Sequence, residues 1–109
     1  DDGLTLRIDY GQTSVVVTGC ITSNGEKEIV SSGAAAACDA LIVSRGGTEA
    51  ATCAEWVEAA KPKVALITGK NPANSVRIRL QKYGATVYAA KENGVMTLFS
   101  DGQEITVEP

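Results

Sequence analysis

Three cysteines, one loop arginine and a complete lack of histidine bound the chemistry open to this chain of 109 residues. Cys20, Cys38 and Cys53 stand too far apart for a close-spaced zinc or redox motif, and their odd number argues against a disulfide framework. Cys53 falls in the first turn of an expected helix, where the macrodipole lowers a thiol pKa. It also lies on that helix's apolar stripe, so packing is its plainer role, as burial as a small filler is for Cys20. Cys38 is expected to begin a strand and stay unpaired. Without imidazole, serine–histidine catalysis is excluded, and no carboxylate pair has an acid–base context. There remains the loop Ser44-Arg-Gly-Gly-Thr48. Arg45 can pair with Glu49 or another carboxylate, or can join the amides of Gly46, Gly47 and Thr48 around an anion. A lone Gly-Gly more simply serves a turn with positive φ, and the Walker and dinucleotide fingerprints are missing.

The elements that must position these residues fit one domain or domain fragment spanning 1–109. A net charge of −3, with Lys and Arg scattered, gives no clustered basic face for nucleic acid. Aromatics at 5% are too few for a base-stacking platform, which makes Trp56 and Tyr83 core residues. No apolar run reaches the ~18–20 residues that span a bilayer, and no signal peptide is visible. The start at Asp1 reads as a cut from a longer parent.

Leu4-Thr-Leu-Arg-Ile-Asp-Tyr10 alternates as a strand, and Gly11-Gln-Thr13 turns it into Ser14-Val-Val-Val-Thr18. The second run has three consecutive apolar residues and suits a strand covered on both faces. Glu26 to Val30 is a short helix capped by Asn24 and ended by Gly33. Asp39-Ala-Leu-Ile-Val43 is a buried strand. Thr52-Cys-Ala-Glu55 reads as a capping box for a helix whose stripe is Cys53, Trp56, Val57 and Ala60. Pro62 ends it before the apolar strand Val64 to Thr68. A third helix runs from about Ser75 to Tyr83, stopped by Gly84. Val76, Leu80 and Tyr83 share a face, and Ile78 lies off it, so this helix is expected to be covered on more than one side. Thr86 to Ala90, Val95 to Ser100 and Glu104 to Val107 are strands, with Asn93-Gly94 and Asp101-Gly102 as hairpin turns.

This order resembles the metallo-β-lactamase-fold domain at the C-terminus of ComEC-type competence proteins, the DNA-internalisation channels. The phrases that carry the likeness are Leu6-Arg-Ile-Asp-Tyr-Gly11 with Thr13-Ser-Val-Val-Val-Thr-Gly19, then Trp56-Val-Glu-Ala-Ala-Lys-Pro-Lys-Val-Ala65. Leu80-Gln-Lys-Tyr-Gly-Ala-Thr-Val-Tyr88, Glu92-Asn-Gly94 and Ser100-Asp-Gly102 complete it. The resemblance implies an α/β fold, a mixed β-sheet with helices on one face. It would correspond to the C-terminal half of an αββα sandwich.

Departures from the family pattern fall on its metal ligands. Cys20 stands where Thr-Gly-Asp supplies a bridging carboxylate. Ser44-Arg-Gly-Gly-Thr48 stands for Gly-His-His-Gly-Ser, and Asn71-Pro72 for a later His-Pro. Zinc hydrolysis needs about three or more converging donors and an open position for water. Cys20, Arg45, Gly46 and Asn71 are therefore read as vestigial positions, with no catalytic residue, metal or cofactor expected. The implied role is a catalytically silent segment of a membrane DNA-uptake protein, outside the cytoplasmic membrane, structural or interactive. The alternatives are a metal-dependent nuclease or phosphoesterase completed by the missing N-terminal half, and a standalone interaction module. Expected partners are the remainder of the parent chain, DNA through that parent, and a second copy through an exposed sheet face. If the fold brings Cys20 and Cys53 to one rim, a bond between them is conceivable.

Overall fold

A computed structural model describes residues 5–19, 21–33, 37–49, 51–70, 72–94 and 96–108. β1 (Thr5–Tyr10) and β2 (Thr13–Thr18) pair antiparallel through the full register Thr5↔Thr18 to Tyr10↔Thr13. The turn between them depends on Gly11, whose φ is +59° and whose missing side chain lets the backbone of Gly102 approach. α1 (Ser23–Ser31), β3 (Ala40–Ile42), α2 (Ala54–Ala60), β4 (Val64–Ile67), α3 (Asn74–Lys82) and β5 (Thr86–Ala89) then alternate. The sheet has the order β1-β2-β3-β4-β5, parallel from β2 onward. Neighbouring strands joined by crossovers of one hand carry all three helices to the same face. The fold is thus α/β with a mixed sheet.

Strand register sorts the side chains onto two faces. Val16, Leu41, Ala65 and Val87 lie in one cross-strand row. They meet Trp56, Val57 and Ala60 of α2 and Val76 and Leu80 of α3 in the main core. The opposite face carries two apolar rows, Leu6-Val17-Ile42-Leu66-Tyr88 and Ile8-Val15-Ala40-Val64-Thr86. A separate hairpin of β6 (Thr97–Ser100) and β7 (Ile105–Glu108) abuts one end of this face. Ser100 Oγ and Thr13 Oγ1 are 2.6 Å apart, and the Gln12 amide donates to the Gly102 carbonyl. At the β1 end the face stays open: Leu6, Ile8 and Tyr10 are 49%, 55% and 60% exposed.

Several local expectations need correction. α1 is longer than the reading Glu26 to Val30, and Thr22, not Asn24, is its N-cap residue. Gly33 does follow it with φ +78°. Ile78 is 56% exposed, so α3 is covered on one side only. No hairpin forms at Asn93-Gly94. β5 enters the main sheet, and α4 (Ala90–Asn93) follows it because Ala90-Lys-Glu-Asn continues as a helical turn closed by the Gly94 amide on the Ala90 carbonyl. The hairpin at Asp101-Gly102 is present.

Thr52 does not cap α2. Its φ is +62°, Cys53 holds the N-cap position, and the Thr52 hydroxyl is buried without a hydrogen-bond partner. Among the described residues no helix is long and apolar enough to cross a membrane.

Candidate functional site at the strand ends

The loops after β2, β3 and β4 converge at the C-terminal ends of the parallel strands, the usual ligand edge of such sheets. The Arg45 amide donates to the Gly19 carbonyl at 2.8 Å, tying the loop after β3 to the end of β2. Arg45 and Gly46 are both left-handed, with φ 50° and 64°, and Gly47 has φ +86°. The sequence placed positive φ on the glycines; that Arg45 also adopts it puts strain on a residue with a Cβ. The arginine and Thr48 are exposed and Gly47 is buried. The Thr48 amide is taken by the Arg45 carbonyl at 3.3 Å, and the Gly47 carbonyl accepts from the Ala73 amide at 2.9 Å. Glu49, a candidate partner for Arg45, accepts from Ser75 Oγ at 3.1 Å.

Glycine is required here by contact as well as by conformation. A Cβ on Gly46 would lie 2.8 Å from Gly69 Cα, and one on Gly69 would run into the Gly46 carbonyl oxygen. A Cβ on Gly47 would meet Ile67 Cγ2 at 2.7 Å. The loops after β3 and β4 therefore touch backbone to backbone, where a side chain at position 46 would have to pass. Gly69 was not singled out from the sequence, and nothing in its local pattern marks it.

The group that organises this edge was also missed. Glu26 of α1 is completely buried. Its Oε2 accepts from the Thr52 amide at 2.7 Å and from Ser44 Oγ at 3.1 Å, and its Oε1 accepts from the Cys53 amide at 2.9 Å. A carboxylate from a neighbouring helix thus satisfies the Thr52 amide, which the expected capping box would have left to Glu55, and the Cys53 amide beside it. Arg79 of α3 donates to the Thr52 carbonyl at 2.6 Å, so the same segment is held from both sides. By sequence Glu26 looks like any charged residue on a short polar helix, with no signal of burial.

Cys53 packs against the core as expected, and Cys38 is a core residue that stands two positions before β3 instead of beginning it. Cys38 is a buried free thiol, pushed up to about 11 from its ordinary 9.0 chiefly by desolvation. Cys53 is also a free thiol, with Sγ 4.0 Å from the Ser23 carbonyl. Its pKa is raised, not lowered: burial and the Glu26 charge outweigh the helical amide of Trp56. Cys20 and Asn71 lie outside the described residues, and so does the conceivable Cys20–Cys53 bond.

The described residues do not fit a dinuclear metal centre. Among them no group of three His, Cys, Asp or Glu side chains converges as a ligand set. Position 46 is closed to any side chain by the Gly69 backbone. A separate cavity of about 250 Å³ opens beside the N-terminus of α3, lined by Pro72, Ala73, Asn74, Arg77, Ala89 and Glu92. Its guanidinium is already committed, since Arg77 pairs with the Glu92 carboxylate.

Comparison with known proteins adds one finding to this geometry. The chain is similar to ComE operon protein 3 of Bacillus subtilis (strain 168). They share 28% identity over 102 residues, covering 88% of this chain and 13% of that protein, so the chain spans a small part of the relative's length. No protein-family model matches the chain, and no solved structure matches it.

Proposed function

We propose that this chain is a non-catalytic module of a DNA-uptake (competence) protein, with a structural or interactive role. Similarity to ComE operon protein 3 over most of the chain supports the competence connection. It agrees with the phrases, from Leu6-Arg-Ile-Asp-Tyr-Gly11 onward, that resemble ComEC-type proteins. On this reading the β-sheet and its helices are the C-terminal half of a metallo-β-lactamase-like sandwich. Residues 1–109 then form one unit within a larger, membrane-bound parent and lie outside the cytoplasmic membrane.

One observation carries the loss of catalysis: the backbone contact between Gly46 and Gly69. In a hydrolase of this class the loop would present imidazoles into that space. Here the carbonyl and Cα of one loop press on the other. Cys20, Arg45, Gly46 and Asn71 are then vestiges of a ligand set. The two apolar rows on the helix-free face, open at Leu6, Ile8 and Tyr10, suit contact with the remainder of the parent chain. DNA is met through that parent, since a chain of net charge −3 lacks the basic surface that phosphates require.

Calorimetric titration of the chain with zinc and with manganese, paired with a phosphodiesterase assay, tests the reading. The expected result is no stoichiometric binding and no turnover. Tight binding accompanied by turnover would overturn it and favour a metal-dependent nuclease.

A further inference from the structure

We propose that the cavity between the β6–β7 hairpin and the N-terminal ends of β3 and β4 binds a small zwitterion of the α-amino acid class. The cavity measures about 240 Å³ and is lined by Asp39, Lys63, Val64, Gln103, Glu104 and Ile105. Asp39 and Lys63 immediately precede β3 and β4, so it lies at the pole opposite the Gly46–Gly69 contact. Backbone bonds hold both walls. The Asp39 carbonyl accepts from the Lys63 and Val64 amides at 2.9 and 3.0 Å, and Asp39 Oδ2 accepts from the Ser14 amide at 2.9 Å. Across the cavity Asp101 Oδ1 accepts from the Gln103 and Glu104 amides, both at 2.8 Å, which fixes where those two side chains leave the turn.

Charge selects the ligand. Lys63 Nζ lies 3.5 Å from Asp39 Oδ1 and its side chain is 82% exposed, so the ammonium keeps protons for a further acceptor. Glu104 lines the same cavity yet does not pair with Lys63; among the described residues neither its carboxylate nor the Gln103 amide group has a partner. A bare anion entering here meets two carboxylates. A bare cation meets the Lys63 ammonium, and two carboxylates beside an ammonium are no cage for a metal ion. A molecule carrying both charges escapes both obstacles. Its ammonium group fits between Asp39 and Glu104, and its carboxylate accepts from Lys63 and the Gln103 NH₂ group. Half-buried Val64 and Ile105 offer an apolar floor to an aliphatic side chain. A dry cavity of about 150 Å³ holds benzene, so this one admits the roughly eight heavy atoms of valine. The inference is independent of the metal-site reading and of DNA uptake.

Calorimetric titration of the 109-residue chain with L-valine at low ionic strength tests this, with isobutylamine and isovalerate as its single-charge analogues. Valine should bind one to one and saturably, and each analogue about tenfold or more weakly by comparison. Glu104→Gln and Lys63→Met should each weaken valine by a similar factor. Both positions are exposed, and far-UV circular dichroism confirms that the fold is kept. Should Lys63→Met fail to fold, Lys63→Arg keeps the charge and should keep the binding. Amide shifts on titration should concentrate at Asp39, Lys63, Val64 and residues 103–105. No saturation by about 50 mM valine overturns the proposal, as does binding that neither Glu104→Gln nor Lys63→Met reduces. Isobutylamine or isovalerate binding as tightly as valine overturns it too, because a single charge would then suffice.

Discussion

Removing the carboxylate of Glu26 should damage this protein more than any exposed charge would, and the structure sets the scale. Three donors end on it: the Thr52 amide at 2.7 Å, the Cys53 amide at 2.9 Å and Ser44 Oγ at 3.1 Å. Hydrogen bonds to a charged group are worth roughly 1.5–3 kcal/mol each, and a buried donor left unmatched costs a comparable amount. Water entering the vacated space recovers part of this, so Glu26→Ala is expected to cost about 3–5 kcal/mol. Glu26→Gln keeps one acceptor oxygen but turns an NH₂ group toward a donor, and should cost about 1–3 kcal/mol. A domain is stable by roughly 5–15 kcal/mol in total, so the alanine variant approaches the limit of folding while the glutamine variant stays measurable. Urea unfolding followed by far-UV circular dichroism, with the m-value held constant, gives both differences. If Glu26→Gln falls within about 0.5 kcal/mol of the parent, these bonds do not organise the strand-end edge and the reasoning fails. A loss confined to Glu26→Ala would refute it likewise, because vacated volume and not hydrogen bonding would then be responsible.

The remaining expectations concern neighbouring positions. Thr52→Val removes a buried hydroxyl with no partner and should leave stability unchanged or raise it by up to about 1 kcal/mol. A functioning capping box would lose about 1 kcal/mol instead, so the sign in the same urea assay decides the matter. Gly69→Ala drives a methyl group into the Gly46 carbonyl oxygen and should cost about 1–3 kcal/mol, with Gly46→Ala at least as severe because φ is also +64°. A shift in thermal midpoint below about 2 °C for either would contradict the close approach. Cys38 carries a pH signature. Its folded pKa of about 11 lies above the ordinary 9.0, so its contribution is complete below pH 9 and is lost as pH rises toward 11. Between those limits the parent should lose roughly 2–3 kcal/mol relative to Cys38→Ala, and parallel stability profiles would contradict the burial of the thiol.

How far these features were legible in the sequence follows from the range of the forces behind them. Val15-Val-Val17, Leu41-Ile42 and Val64-Ala-Leu-Ile67 could be read as strands because continuous apolar runs need cover on two faces, and both faces of this sheet are in fact apolar. The stripe Trp56, Val57 and Ala60 was equally plain, and all three are buried in the core. Asn93-Gly94 misled because its turn preference is local, whereas β5 is claimed by pairing with β4 four residues deep.

Thr52-Cys-Ala-Glu55 failed for a related reason. A capping box competes with any better acceptor that tertiary structure brings to the same amides, and Glu26, from 26 residues upstream of Thr52, is that acceptor. No periodicity reports such a pairing. At the strand-end loop the glycines announced a left-handed turn, but not that Arg45 would share it, nor that Gly69 would fill the space beside it. On the proposed reading, the lack of histidine at this loop and the touching backbones are two sides of one constraint. Once Gly46 and Gly69 pack at this distance, the edge is held by Glu26, by the Arg45–Gly19 hydrogen bond and by glycine geometry, and a ligating side chain could return only by forcing the two loops apart.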